Sequence, residues 1–106
     1  NEGAKLAKTW SEVNTVAAGL RVPAAIGDYL ILNVLRDSGG SAVTVTDEDI
    51  MSKLAEVSRL EGLLFCPEGA ATIAGLEKLL ASGLVSSGER ILLMNTGSGL
   101  KYLDLL

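Results

Sequence analysis

An α/β fold with a mostly parallel sheet built from successive βαβ units is predicted by three observations. Short apolar or β-branched runs alternate along the chain with longer segments of helical periodicity. The last run, Ile91-Leu92-Leu93-Met94, shows no helical alternation and suits a strand buried on both faces. Glycine or proline stands at nearly every junction between runs. Consecutive right-handed crossovers then leave the strands parallel.

The elements follow in order. The first twenty residues carry a weak helical pattern broken by Gly19, and residues 1–9 are expected to be flexible. Pro23 is placed to open a helix over Ala24 to Arg36, with Ile26, Leu30 and Val34 along one stripe and Asp37-Ser38-Gly39-Gly40 ending it. Ser41 to Val45 reads as a β-branched strand. Thr46-Asp47-Glu48-Asp49 forms a capping box, in which the Thr46 hydroxyl accepts from the Asp49 N–H and the acids favour the positive helix end. The helix that follows turns Ile50, Leu54 and Val57 inward and stops at Glu61-Gly62. Leu63 to Cys66 is a second strand, and Pro67 starts a helix near Glu68 whose small residues Ala70, Ala71, Ala74 and Gly75 permit close approach to a sheet. Gly83 caps it, and Ile91 to Met94 is the third strand.

At 106 residues with 48% hydrophobic content, the chain is expected to form a single domain with a core of its own. A net charge of -4, with its basic residues scattered, argues against nucleic-acid or anionic-membrane partners. The absence of histidine removes the commonest transition-metal ligand, so no metal site is expected. One cysteine, Cys66, cannot form an internal disulfide, which fits a reducing cytoplasmic setting. No apolar run is long enough for a membrane helix, and the start has no signal-peptide layout.

The best candidate ligand site is the turn Thr96-Gly97-Ser98-Gly99, just past the carboxyl end of the third strand, where open parallel sheets bind ligands. Two hydroxyls can donate or accept, and two glycines allow positive φ or close approach of a ligand to backbone. Thr46 and the turn after Cys66 are expected near the same crevice. Neither a dinucleotide fingerprint nor a triphosphate loop is present. Without histidine, Cys66 lacks the base a cysteine protease needs and reads as a small buried thiol. Lys101 reads as an exposed lysine in an ion pair.

Several segments together resemble the C-terminal third of the threonine synthases and related fold-type II (tryptophan synthase beta-like) pyridoxal-phosphate enzymes. These are Ala18-Gly19-Leu20-Arg21-Val22-Pro23, Ser38-Gly39-Gly40, Glu61-Gly62, Cys66 to Thr72, and Asn95 to Lys101. The resemblance implies a piece of a three-layer αβα domain, with residues 1–106 as a single partial domain at the C-terminal end of the large cofactor-binding domain. It implies pyridoxal 5'-phosphate in the complete enzyme, with the hydroxyl of Thr96 bonded to the pyridine nitrogen and Gly97, Ser98 and Gly99 completing the ring-side pocket. The implied reaction is conversion of O-phosphohomoserine and water to threonine and phosphate. The lysine that carries the cofactor, the loop that holds its phosphate and the loop that grips the substrate carboxylate belong to upstream segments. No catalytic residue is therefore expected in this chain, which alone should be inactive and hold little or no cofactor. Its partners are then the upstream part of the same enzyme, a small amino-acid substrate, and a second copy where uncovered apolar faces drive homo-oligomers. A fragment of a serine/threonine dehydratase or another β-replacement enzyme fits the same segments, and a self-contained α/β binding or assembly module fits the composition.

Overall fold

Helix formation follows the caps in the computed structural model, which describes residues 3–105. Three α-helices form, α1 (Asp28–Asp37), α2 (Asp47–Glu61) and α3 (Pro67–Ala81), together with 3₁₀ turns at Ala18–Leu20, Gly99–Lys101 and Leu103–Leu105. The chain divides into two compact units, one of Asn1–Asn14 and Arg21–Ala42, the other of Thr15–Leu20 and Val43–Leu106. Of the segment expected to be flexible, Asn1 and Glu2 lie outside the described residues.

In the first unit, α1 begins four residues later than the sequence predicts. Ile26 and Gly27 form a turn instead, closed by the Asp28 N–H donating to the Ala25 carbonyl at 3.2 Å. Asp28 fixes the start: its carboxylate accepts from the Tyr29 N–H at 2.6 Å and from the Ala7 N–H at 2.7 Å. An acid in the first turn meets the donors a helix start leaves unpaired, which Pro23 cannot do. The Trp10 N–H donates to the Pro23 carbonyl at 2.9 Å, so Pro23 serves the preceding segment. The predicted stripe is not a buried face: Ile26, Leu30 and Val34 are all exposed. Gly39, at φ +64°, ends the helix with the left-handed residue that glycine adopts most readily.

The second unit holds the core. Both halves of the capping box form: the Thr46 hydroxyl accepts from the Asp49 N–H at 3.1 Å, and the Asp49 carboxylate accepts from the Thr46 N–H at 3.0 Å. Gly62, at φ +65°, closes α2 with its N–H on the Ser58 carbonyl. Ile50, Leu54 and Val57 are the buried residues of α2, which packs against α3, where Ala70 joins Ile50 and Leu54 in the core. Ala17, Ile50, Leu54 and Ala70 form the centre, with Val16, Val45, Met51, Phe65 and Ala71 packed around it. A Cβ on Gly75 would stand 3.3 Å from the Val43 side chain, so α3 lies close to the segment that precedes α2.

Among the described residues no β-strand is formed, so the expected parallel sheet is not present as a ladder. The one bridge joins Phe65 and Ser98, and it is antiparallel. A ladder needs a neighbour's amides and carbonyls. The Gly99 N–H donates to the Leu64 carbonyl at 2.9 Å, which is the bond of the Phe65–Ser98 bridge itself, while the Thr44 carbonyl accepts from the Lys78 ammonium at 3.0 Å.

Candidate functional site

The site grows from the start of α3. Cys66 is its N-cap, with extended backbone and a sulfur that accepts from the Gly69 N–H at 3.4 Å, and Pro67 occupies the first helical position. Asn95 braces this start: its Oδ1 accepts from the Cys66 N–H and thiol, each at 3.3 Å, and its Nδ2 donates to the Gly97 carbonyl at 2.9 Å. A Cβ on Gly69 would run into the Asn95 side chain, so glycine is needed for the two segments to meet.

Glu68 gathers two distant segments. One of its oxygens, Oε1, accepts from the Gly19 N–H at 2.7 Å and from the Tyr102 hydroxyl at 2.8 Å. Burial pushes the Glu68 carboxyl up, but hydrogen bonds from its own N–H, the Gly19 N–H, the Tyr102 hydroxyl and the Cys66 thiol outweigh that and hold it below its ordinary value. Glu68 is therefore ionised at neutral pH.

A cavity of about 480 Å³ opens here, lined by Gly19, Leu20, Cys66, Glu68, Thr72, Met94, Thr96, Gly97, Lys101 and Tyr102. Its volume falls within the range of small-molecule sites, roughly 300–1,000 Å³. Thr96 and Gly97 line it directly. Ser98 and Gly99 stand behind them as structural supports. The Ser98 hydroxyl accepts from the Leu100 N–H at 3.2 Å and caps the 3₁₀ turn. Buried Gly99 presses on the preceding strand-like segment, where a Cβ would stand 2.5 Å from Leu64 Cγ and 2.6 Å from the Phe65 carbonyl oxygen. Neither Gly97 nor Gly99 has positive φ, so close approach, and not backbone handedness, accounts for glycine at position 99. A larger cavity of about 740 Å³ runs beside α3 with mainly aliphatic walls from Val43, Val45, Leu76, Ile91 and Leu93, and lacks the hydroxyl-and-glycine turn.

Cys66, Thr96 and Gly97 thus come to one cavity as the sequence predicts, with Cys66 buried. Lys101, exposed as expected, joins them at the wall of that cavity. Thr46 does not line it; its hydroxyl is spent on the α2 cap. Glu68, Gly19 and Tyr102 were not predictable as a group, since Glu68 lies 49 residues from Gly19 and 34 from Tyr102. Asn95 had one local signal, its place at the entry to the glycine turn. Among the described residues no cluster of acids and Cys66 is arranged to hold a metal ion. No helix among them is long and apolar enough to cross a membrane.

The chain is 38% identical over 87 residues to a threonine synthase of Methanosarcina acetivorans, an overlap of 82% of this chain and 22% of that protein. It is 39% identical over 90 residues to a threonine synthase of Methanocaldococcus jannaschii, covering 85% of this chain and 22% of the relative. A threonine synthase of Mycobacterium leprae is 33% identical over 94 residues, covering 89% and 26% respectively. The chain therefore spans about a fifth to a quarter of the length of these curated relatives. The family described as pyridoxal-phosphate dependent enzyme matches residues 1–97, nearly the whole sequence, and the chain belongs to that family.

Proposed function

We propose that this chain is the C-terminal part of a threonine synthase, a single partial domain within the larger cofactor-binding domain of a fold-type II enzyme. The complete enzyme converts O-phosphohomoserine and water to threonine and phosphate. The observation that carries this reading is the Thr96-Gly97 turn, which opens onto a cavity of ligand size in a chain whose named relatives are threonine synthases.

The residues present fit one side of pyridoxal phosphate. A hydroxyl at Thr96 offers a neutral partner for a pyridine nitrogen, and Gly97 leaves the adjoining wall free of a side chain. Gly99 and Ser98 hold that wall through the Leu64 carbonyl and the turn Gly99–Lys101. When bound, the cofactor withdraws electrons from the substrate α-carbon. A hydroxyl partner adds no negative charge to the ring nitrogen, unlike a carboxylate, so Thr96 orients the ring without holding that nitrogen protonated. The N–H groups of Gly69 and Ala70 at the start of α3 are taken by Cys66, which leaves the cofactor phosphate to the rest of the enzyme. The lysine that carries the cofactor and the loop that grips the substrate carboxylate also belong there. On this reading the chain alone is inactive.

In the complete enzyme the extended segments Ser41 to Val45, Leu63 to Cys66 and Ile91 to Met94 join a mostly parallel sheet, paired by strands from outside this chain. The partners are that upstream part, a small amino-acid substrate and a second copy of the enzyme, in the cytoplasm.

The test is expression of the complete open reading frame containing this chain. A yellow protein with a visible band that borohydride removes, releasing phosphate from O-phosphohomoserine, is the expected result. Deamination of serine or threonine without phosphate release would move the assignment to the dehydratases. A colourless protein inert toward both would end the enzyme reading.

A further inference from the structure

We infer that Glu68 is a positioning residue of the cofactor cavity, its carboxylate tying the turn Ala18–Leu20 and Tyr102 to the start of α3 so that three separate segments hold one wall. This rests on the cofactor reading above and deepens it.

One oxygen of Glu68 serves both ties, at 2.7 Å to the Gly19 N–H and 2.8 Å to the Tyr102 hydroxyl. The turn Ala18–Leu20 buries none of its own residues: Ala17 anchors it to the core on one side, and this bond holds its cavity side. Gly19 is suited to the contact, because a Cβ there would stand 2.8 Å from the same oxygen. Tyr102 follows directly on the turn Gly99–Lys101 that backs Thr96 and Gly97. Glu68, Gly19, Tyr102 and Thr96 all line the same cavity. A carboxylate accepting two hydrogen bonds on one oxygen couples its donors, since loss of either changes the acceptor's pull on the other.

The experiment compares Glu68→Ala, Glu68→Gln, Tyr102→Phe and the double variant Glu68→Ala with Tyr102→Phe in the complete enzyme. It reads the dissociation constant for pyridoxal phosphate, the visible circular dichroism of the bound cofactor, and KM and kcat separately. Glu68→Ala is expected to weaken cofactor binding about tenfold and alter the dichroic band, and Tyr102→Phe to act about threefold in the same direction. The double variant should lose less than the sum of the two single variants, because the bond between Glu68 and Tyr102 can be lost only once. Glu68→Gln keeps an oxygen acceptor and should recover most of the loss. Additive single effects would overturn the inference, and so would wild-type dissociation constants and dichroism in all variants, whatever their thermal stability. If Glu68→Ala fails to fold, Tyr102→Phe and Glu68→Gln decide by the same readings. A wild-type enzyme that takes up no cofactor would remove both the cofactor reading and this one; a coloured wild type with unaltered variants removes only this one.

Discussion

One methyl group at position 99 would meet a carbonyl oxygen that cannot step aside. The Phe65 oxygen would lie 2.6 Å from that methyl, and the Leu64 carbonyl is already bonded to the Gly99 N–H. Gly99→Ala is therefore expected to destabilise the protein by about 1–3 kcal/mol, the usual range for overpacking, seen as unfolding at lower urea. Thr96 is the opposite case, an exposed residue at the wall of the cavity. Thr96→Ala in the complete enzyme should lower turnover roughly five- to tenfold, the worth of one hydrogen bond of about 1 kcal/mol, with unfolding unchanged. Unchanged kinetics would remove Thr96 from the site. Both residues were legible in the sequence, because a glycine-and-hydroxyl turn after an apolar run is a local pattern. Glu68 was legible only as a residue at the start of a helix. Its bonds to Gly19 and Tyr102 depend on long-range folding, which local pattern does not carry.

Helix α2 is the element the sequence describes best, since its cap, its inward residues and its closing glycine are all short-range features. The cap also makes α2 acid-sensitive. The Thr46 N–H, then Lys78, then the Thr46 hydroxyl hold the Asp49 carboxyl down from 3.8 to about 2. A carboxylate depressed in the folded state stabilises above its unfolded pKa and loses that contribution as pH falls through the folded value. Stability from Asp49 is thus complete above about pH 4 and fades toward about pH 2. Urea unfolding across that window should show a shallower acid loss in Asp49→Asn than in the wild type; equal slopes would discount the cap. Helix α1 was less legible. Proline at position 23 is a valid opening signal, but the chain first turns between Ala25 and Asp28, and the Tyr29 amide at the helix start is met by Asp28. The strand segments were read from composition alone, and composition states that a segment suits a sheet without supplying its pairing partner.

At the scale of the molecule, the chain exposes 7876 Å² of surface, where a folded monomer of 11.0 kDa usually exposes about 5,600 Å². Large apolar side chains contribute, among them Leu30 and Val34 on α1 and Leu92 and Met94 after α3. The chain by itself should bind a hydrophobic dye such as ANS strongly and associate with itself, while the complete enzyme should bind far less per mole. Equal dye binding would mean these faces stay open in the enzyme. Uncovered apolar faces were expected from the resemblance to one piece of a larger domain; hydrophobic content alone gave no such warning, because it does not reveal what lies against a face. Cys66, 1% exposed and bonded through sulfur to the start of α3, lends the protein a clock. A thiol reagent larger than water reaches that sulfur only when the structure around Cys66 opens, so the labelling rate counts how often this wall of the cavity loosens. Cofactor bound in the closed form should slow the count in proportion to its occupancy, timing the site without any substrate at all.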